Sequence, residues 1–173
     1  MKAIIKPVVV LTAICLVITF LLSFTNEKTA PVIEQVNIQI ANEARAEVLP
    51  EADGFEKIEI DNLPEGAVDI YKATNDTGYV ASTTAQGYGG TMKVTVGIDE
   101  NGAITKVKVT EHSETPGLGS RASEEKYTVT FKGANETTLP GVATISGATI
   151  SSTALKRAIQ TAFELYDMAK GAN

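Results

Sequence analysis

Thr91-Met-Lys-Val-Thr-Val-Gly-Ile98 sets Met92, Val94, Val96 and Ile98 at every second position, with polar residues or Gly97 between them. Successive side chains of an extended chain point to opposite faces, so this spacing describes a strand with one buried face. Outward from it, Asp99-Glu-Asn-Gly102 closes a hairpin, and Ile104, Val107 and Val109 fall in the next strand. Upstream, Gly87-Tyr-Gly-Gly90 leads back to a strand over Tyr79–Thr84. The turn Asn75-Asp-Thr-Gly78 joins that strand to one starting at Val68, Ile70 and Tyr71. Downstream, Glu111–Gly119 reads as a loop and Lys126–Phe131 as a further strand. Leu155, Ile159, Ala162, Phe163 and Tyr166 then form an apolar stripe on a helix over Ser152–Ala169, which ends on Lys170 and Gly171 as helix ends prefer. The expected fold class is α+β: an antiparallel sheet with helices packed on one side.

The chain has 173 residues, 43% of them hydrophobic and 6% aromatic, with no Trp. Two different materials make up that average. Pro7–Phe24 carries no charge over 18 residues, whereas all 21 acidic residues follow it. Only Lys2 and Lys6 of the 15 basic residues precede the run, so 13 basic against 21 acidic residues give −8 from residue 25 onward. Such an acidic part does not suit nucleic acid, whose phosphates need basic neutralisation, nor charge-driven docking on an anionic membrane surface. The single Cys excludes an intramolecular disulfide framework, a cysteine zinc site and a cysteine-ligated iron–sulfur cluster.

At the helical rise, residues 7–24 span roughly 27 Å, close to the thickness of a hydrocarbon core. The competing reading is a cleaved signal peptide. The apolar run is longer than such a leader needs, no small-x-small site follows it, and the nearest candidate, Ala30, precedes Pro31. The expectation is therefore one transmembrane helix over residues 7–24. The lysines of residues 1–6 put the N-terminus in the cytoplasm and the remainder outside. Cys15, mid-run, is a small apolar residue facing lipid or a partner helix. Thr29-Ala-Pro31 reads as the start of a second, juxtamembrane helix whose Ile33, Val36, Ile40, Ala44 and Val48 recur at helical spacing as far as Leu49. Glu51–Gly66 is acidic and turn-rich and reads as a connection, so residues 25–66 lead into a domain over 67–173.

Few residues offer chemistry. His112 is the only histidine; with Glu111 and Glu114 beside it, it is either a general base or an exposed turn residue. The carboxylates show no calcium-loop spacing, and no metal site is expected. Ile145-Ser-Gly-Ala-Thr-Ile-Ser-Ser-Thr153 brings hydroxyls and a Gly to the start of the strong helix. A helix N-terminus offers unpaired N–H groups and the positive end of its dipole, which suit a phosphate. Ordinary capping by Ser151, Ser152 or Thr153 accounts for the same pattern. In His112-Ser-Glu-Thr-Pro-Gly-Leu-Gly119, Pro116 and two glycines set an unusual path that carries the isolated Leu118: either a turn covering core or a wall for a flat, partly apolar ligand.

Taken in order, Gly87-Tyr-Gly-Gly90, His112-x-Glu-Thr-Pro-Gly-Leu-Gly119 and Ser146-Gly-Ala-Thr149 before Ile150-Ser-Ser resemble the covalent FMN-binding domain family. That domain is shared by the G subunit of Rnf ion-translocating oxidoreductases and the C subunit of the Na⁺-translocating NADH:quinone reductase. The anchor followed by Thr25-Asn and Thr29-Ala-Pro31 resembles the Rnf subunit, and the short loops favour it over the C subunit. The resemblance implies FMN joined by a phosphoester to Thr149, made by a flavin transferase with FAD as donor and Mg²⁺. Ser146, Gly147 and Ala148 would shape the phosphate turn, with N–H groups near Ser151 and Ser152 holding its charge. Glu114, Thr115 and Leu118, with Gly119, would line the ring, and His112 would position the loop. The family commonly carries an acidic residue where this chain has Ala143; the acceptor hydroxyl is unaffected. With no exported Cys and one His, redox cycling falls to a bound cofactor. The implied function is electron transfer within an Rnf complex, in the company of its other membrane and peripheral subunits, coupling ferredoxin:NAD⁺ electron transfer to Na⁺ or H⁺ movement. The rivals are a stand-alone extracellular flavoprotein and a cofactor-free anchored binding or assembly module.

Overall fold

The computed structural model of the chain describes residues 2–171. Met1, at the head of the expected cytoplasmic segment, and Ala172 and Asn173, at the end of the expected flavin domain, lie outside the described residues. The chain divides into two units, Met1–Ile40 and Ala41–Asn173.

Helix α1 (Lys2–Val48) accounts for the first unit. Leu11, Leu16, Phe20 and Leu22 stand exposed on it, and the helix is long and apolar enough to cross a membrane. The helix start expected at Thr29-Ala-Pro31 does not exist, because α1 runs through Pro31 without a break. A proline forfeits one main-chain donor. Helix-forming neighbours on both sides continue the ladder, and the Thr29 hydroxyl bonds the Thr25 carbonyl at 3.0 Å.

The second unit is built on five antiparallel strands in sequence order: β1 (Phe55–Ile58), β2 (Ala67–Ala73), β3 (Gly78–Gln86), β4 (Thr91–Asp99) and β5 (Ile104–Glu111). The alternation read in β4 is realised in full. Met92, Val94, Val96 and Ile98 are buried on one face beside Tyr79 and Ala81 of β3 and Ile104 and Val107 of β5. Helix α3 (Thr149–Gly171) lies on that face with Leu155, Ala158, Ile159, Ala162 and Leu165 fully buried. Burying a Leu or Ile is worth roughly 1.5–3 kcal/mol each, so this seam holds the helix to the sheet. The Thr83 hydroxyl crosses it to bond the Ala158 carbonyl at 2.9 Å.

Helices do not cover one side alone. Residues 41–48, the end of α1, pack on the opposite face, where Val48 and Leu49 bury against Ala73 and Val80. Thr105 caps the helix end by donating to the Val48 carbonyl. Arg45, buried, lies 3.7 Å over the Tyr71 ring and 3.5 Å from Asp69. Glu47 meets Lys106 at 2.9 Å and also Lys108.

Two elements differ from expectation. The connection over 51–66 contains β1, an edge strand paired Phe55 with Ala73 through Ile58 with Ile70. Four residues interrupted by exposed Glu56 and Lys57 are too short to display a period. Lys126–Phe131 is not a strand; it forms helix α2 (Glu125–Thr128) and a 3₁₀ turn, Val129–Phe131. The apparent alternation of Tyr127, Val129 and Phe131 misleads, since Val129 is exposed and Phe131 buried. The contact that matters is at helical spacing: the Tyr127 and Phe131 rings meet edge to face at 5.3 Å.

Candidate functional site

Three segments distant in sequence meet at the N-terminus of α3. They are the β3–β4 turn at Gly87–Gly90, the loop after β5, and the turn at Ile145–Ala148. The last of these is a tight turn closed by the Ala148 N–H on the Ile145 carbonyl at 3.0 Å, with Gly147 at φ +81°. Nothing crowds a side chain at Gly147, so the backbone angle alone asks for glycine. The approach to this turn is held through its main chain. Lys156 donates to the carbonyls of Pro140 and Val142, and Tyr127 donates to that of Ala143. Burial pushes the Tyr127 phenol above its ordinary 10.0.

Ala148 is the last residue before the helix, and the Ser152 N–H bonds its carbonyl at 2.9 Å. The amides of Thr149, Ile150 and Ser151 therefore precede the first helical bond and have no main-chain acceptor among the described residues. The three hydroxyls here have separate fates. Ser152 is fully buried, donates to the Ala148 carbonyl at 2.8 Å and accepts from the Ile145 N–H. Ser151 is buried and donates to Glu114 Oε2 at 2.9 Å. Thr149 is exposed and its hydroxyl bonds no protein group among the described residues.

Glu114 is the knot of the site. It is 5% exposed; Oε1 accepts the Tyr88 N–H at 2.8 Å while Oε2 accepts from Ser151. Gly87 and Gly119 make room for it: a Cβ on either would lie 2.0 Å and 2.1 Å from the carboxylate oxygens. His112 supports the same loop, accepting the Glu114 N–H at Nδ1 (3.3 Å) and meeting Ser123 Oγ at Nε2 (3.0 Å). Ser123 Oγ already donates to the Ser120 carbonyl, so it accepts from Nε2–H and the ring is the Nε2–H tautomer. Both ring nitrogens are thus occupied in holding the loop.

The segments enclose a cavity of about 400 Å³. Of the residues expected at the site, Glu114, Thr115, Leu118, Gly119, Gly147, Ala148, Thr149 and Ser151 line it. Ser146 and Ser152 do not: Ser146 is exposed outside the lining, and Ser152, side chain and amide alike, is spent on the helix cap. The sequence reading passed over two lining residues, Tyr88 and Ile150, exposed by 73% and 54%. Tyr88 lies inside the Gly87–Gly90 turn and Ile150 directly follows Ser146–Thr149, and an aromatic residue within a glycine-rich turn is the signal for the first. A larger groove of about 580 Å³ beside Gln86, Arg157 and Glu164 is more open and polar. It has neither unpaired helix amides nor an aromatic wall, so the smaller cavity is the better ligand site.

The FMN-binding domain family matches residues 87–164, which contain all three segments. The G subunit of the Na⁺-translocating ferredoxin:NAD⁺ oxidoreductase complex of Acetobacterium woodii is 30% identical, over 95% of this chain and 92% of its own length. The G subunit of the ion-translocating oxidoreductase complex of Methanosarcina acetivorans is 32% identical over 98% of both chains. The chain belongs to this G-subunit family. The proton-translocating ferredoxin:NAD⁺ oxidoreductase complex of Clostridium ljungdahlii has a G subunit that is 28% identical over 89% of this chain. Within the G-subunit family, then, the glycine motifs of this chain have a definite physical task. They let one buried carboxylate tie two loops to the start of α3.

Proposed function

We propose that this chain is the membrane-anchored, flavin-carrying electron-transfer subunit of an Rnf-type complex, which couples ferredoxin:NAD⁺ electron transfer to Na⁺ or H⁺ movement. One observation carries the reading. The unpartnered Thr149 hydroxyl stands at the first residue of a helix whose first amides are unpaired, in the wall of a cavity with apolar sides. FMN is the cofactor, and it supplies the one- and two-electron chemistry that the exported side chains lack.

The residues present suit that group. The amides of Thr149, Ile150 and Ser151 would take the phosphate charge, assisted by the helix dipole. Gly147 sets the turn that leads in, and Leu118 and Ile150 supply apolar walls for the ring. Glu114, in the cavity wall, and His112 behind it fix the loops that shape the site. Covalent attachment to Thr149 exchanges its O–H for an O–P bond. FAD would be the donor: the bond between its two phosphates would break, AMP would leave, and a flavin transferase with Mg²⁺ would take the hydroxyl proton. A tether matters for a domain on the extracytoplasmic side, where free FMN diffuses away. That sidedness follows from the lysines ahead of the apolar run.

The test is co-expression of the full chain with a flavin transferase, followed by denaturing electrophoresis. A fluorescent band is expected in wild type and in Thr153→Ala, and none in Thr149→Ala. A dark wild-type band beside an active transferase leaves only the cofactor-free module.

A further inference from the structure

We infer that Tyr88 is the aromatic wall on which the flavin ring stacks, a role that rests on the flavin reading above. The chain has five tyrosines and no Trp. Four of them have ring partners or bury their rings: Tyr79 and Tyr166 meet edge to face at 5.2 Å, Tyr71 lies under Arg45, and Tyr127 packs on Phe131. Tyr88 alone has no ring or cation contact among the described residues, and at 73% exposure it leaves most of an aromatic face uncovered. Its backbone is nevertheless pinned. The Tyr88 N–H bonds Glu114 Oε1, and the flanking Gly87 N–H bonds the Gly90 carbonyl at 2.9 Å. A fixed main chain that presents an uncovered ring to a cavity is arranged for a ligand rather than for the core. The cavity that Tyr88 lines is the one containing Thr149, and Leu118 and Ile150, each more than half exposed, are its other large apolar walls. A planar heteroaromatic ring tethered at Thr149 covers all three, and stacking against a phenol is its most favourable aromatic contact here.

A phenol stacked on a flavin quenches its emission, so the contact has a direct optical signature that does not depend on turnover. Wild type, Tyr88→Ala and Tyr88→Trp full chains, flavinylated by co-expression and purified in detergent, are compared folded and after denaturation. The expected result is equal emission from the three denatured proteins, several-fold brighter emission from folded Tyr88→Ala than from folded wild type, and quenching restored in Tyr88→Trp. Folded Tyr88→Ala no brighter than wild type overturns the stacking and leaves the flavin reading standing. A wild-type band that carries no flavin after denaturation overturns both. The Ala substitution keeps the Tyr88 N–H and removes no buried contact, so loss of folding does not confuse the outcome.

Discussion

Glu114 and Ser151, 37 residues apart, share a buried hydrogen bond of 2.9 Å from Ser151 Oγ to Glu114 Oε2. Because the other carboxylate oxygen holds the Tyr88 N–H, one side chain joins the loop after β5 to both the β3–β4 turn and the start of α3. That junction brings three of the segments lining the cavity together.

Glu114→Ala is accordingly expected to leave the buried Ser151 hydroxyl and the partly buried Tyr88 N–H without an acceptor, at a cost of about 2–4 kcal/mol, since an unsatisfied donor costs roughly 1–3 kcal/mol and less where water reaches it. Thermal unfolding of the detergent-solubilised chain measures the loss. Flavinylation falls with it, whereas Glu114→Gln, which keeps an oxygen and the shape, retains more of both.

The glycines separate space from backbone angle. Gly119→Ala places a Cβ 2.1 Å from Glu114 Oε2 and 2.7 Å from Ser151 Oγ, so the junction must open. Gly147→Ala meets nothing, but its φ of +81° costs an L-residue about 1–2 kcal/mol. Gly119→Ala is expected to be the more damaging in unfolding experiments, and Gly147→Asn milder than Gly147→Ala. Equal losses at the two positions would contradict this division.

On the opposite face, hydrogen bonds from Lys108 and then Lys106 hold Glu47 below its ordinary 4.5, and Glu47 raises Lys106 above its ordinary 10.5. A lowered carboxylate stabilises the fold above its unfolded pKa, and that contribution disappears as pH falls through the folded value. A raised lysine stabilises below its unfolded pKa, and its contribution disappears as pH rises through the folded one. Glu47→Gln should therefore lower the melting temperature across neutral pH, by a small amount that salt reduces because the groups are over a third exposed. The difference from wild type should vanish as pH falls through the lowered folded value of Glu47.

Arg45 is buried over Tyr71, with Asp69 alongside and its own Nε unpaired among the described residues. Removing one partner of a fully buried pair costs roughly 3–5 kcal/mol, and Asp69, still partly exposed, places this pair below that range. Arg45→Ala should lose the pair together with the contact on Tyr71, and Asp69→Asn should lose less. Unfolding of the two single variants and the double variant measures the coupling; full additivity would show that the pair does not interact.

The amino-acid sequence by itself determined the parts whose identity is periodic or local. Period two over Thr91–Ile98 made a strand, a 3.6-residue stripe from Leu155 to Tyr166 made a helix, and an uncharged run over Pro7–Phe24 lies in a helix able to cross a membrane. These depend on backbone geometry and on which face must leave water, and both are written in the spacing of apolar residues. The tertiary structure decided the rest. It made Ser151 a partner of Glu114 and Ser152 a cap, though adjacent hydroxyls look alike in the sequence. It paired the four residues of β1 with β2, curled Lys126–Phe131 into helical turns, and laid the end of α1 on the sheet's second face. It set Tyr88 and Thr149, far apart in the chain, in the wall of one cavity. Each of these depends on which distant segment arrives alongside, and no local period of side chains records that.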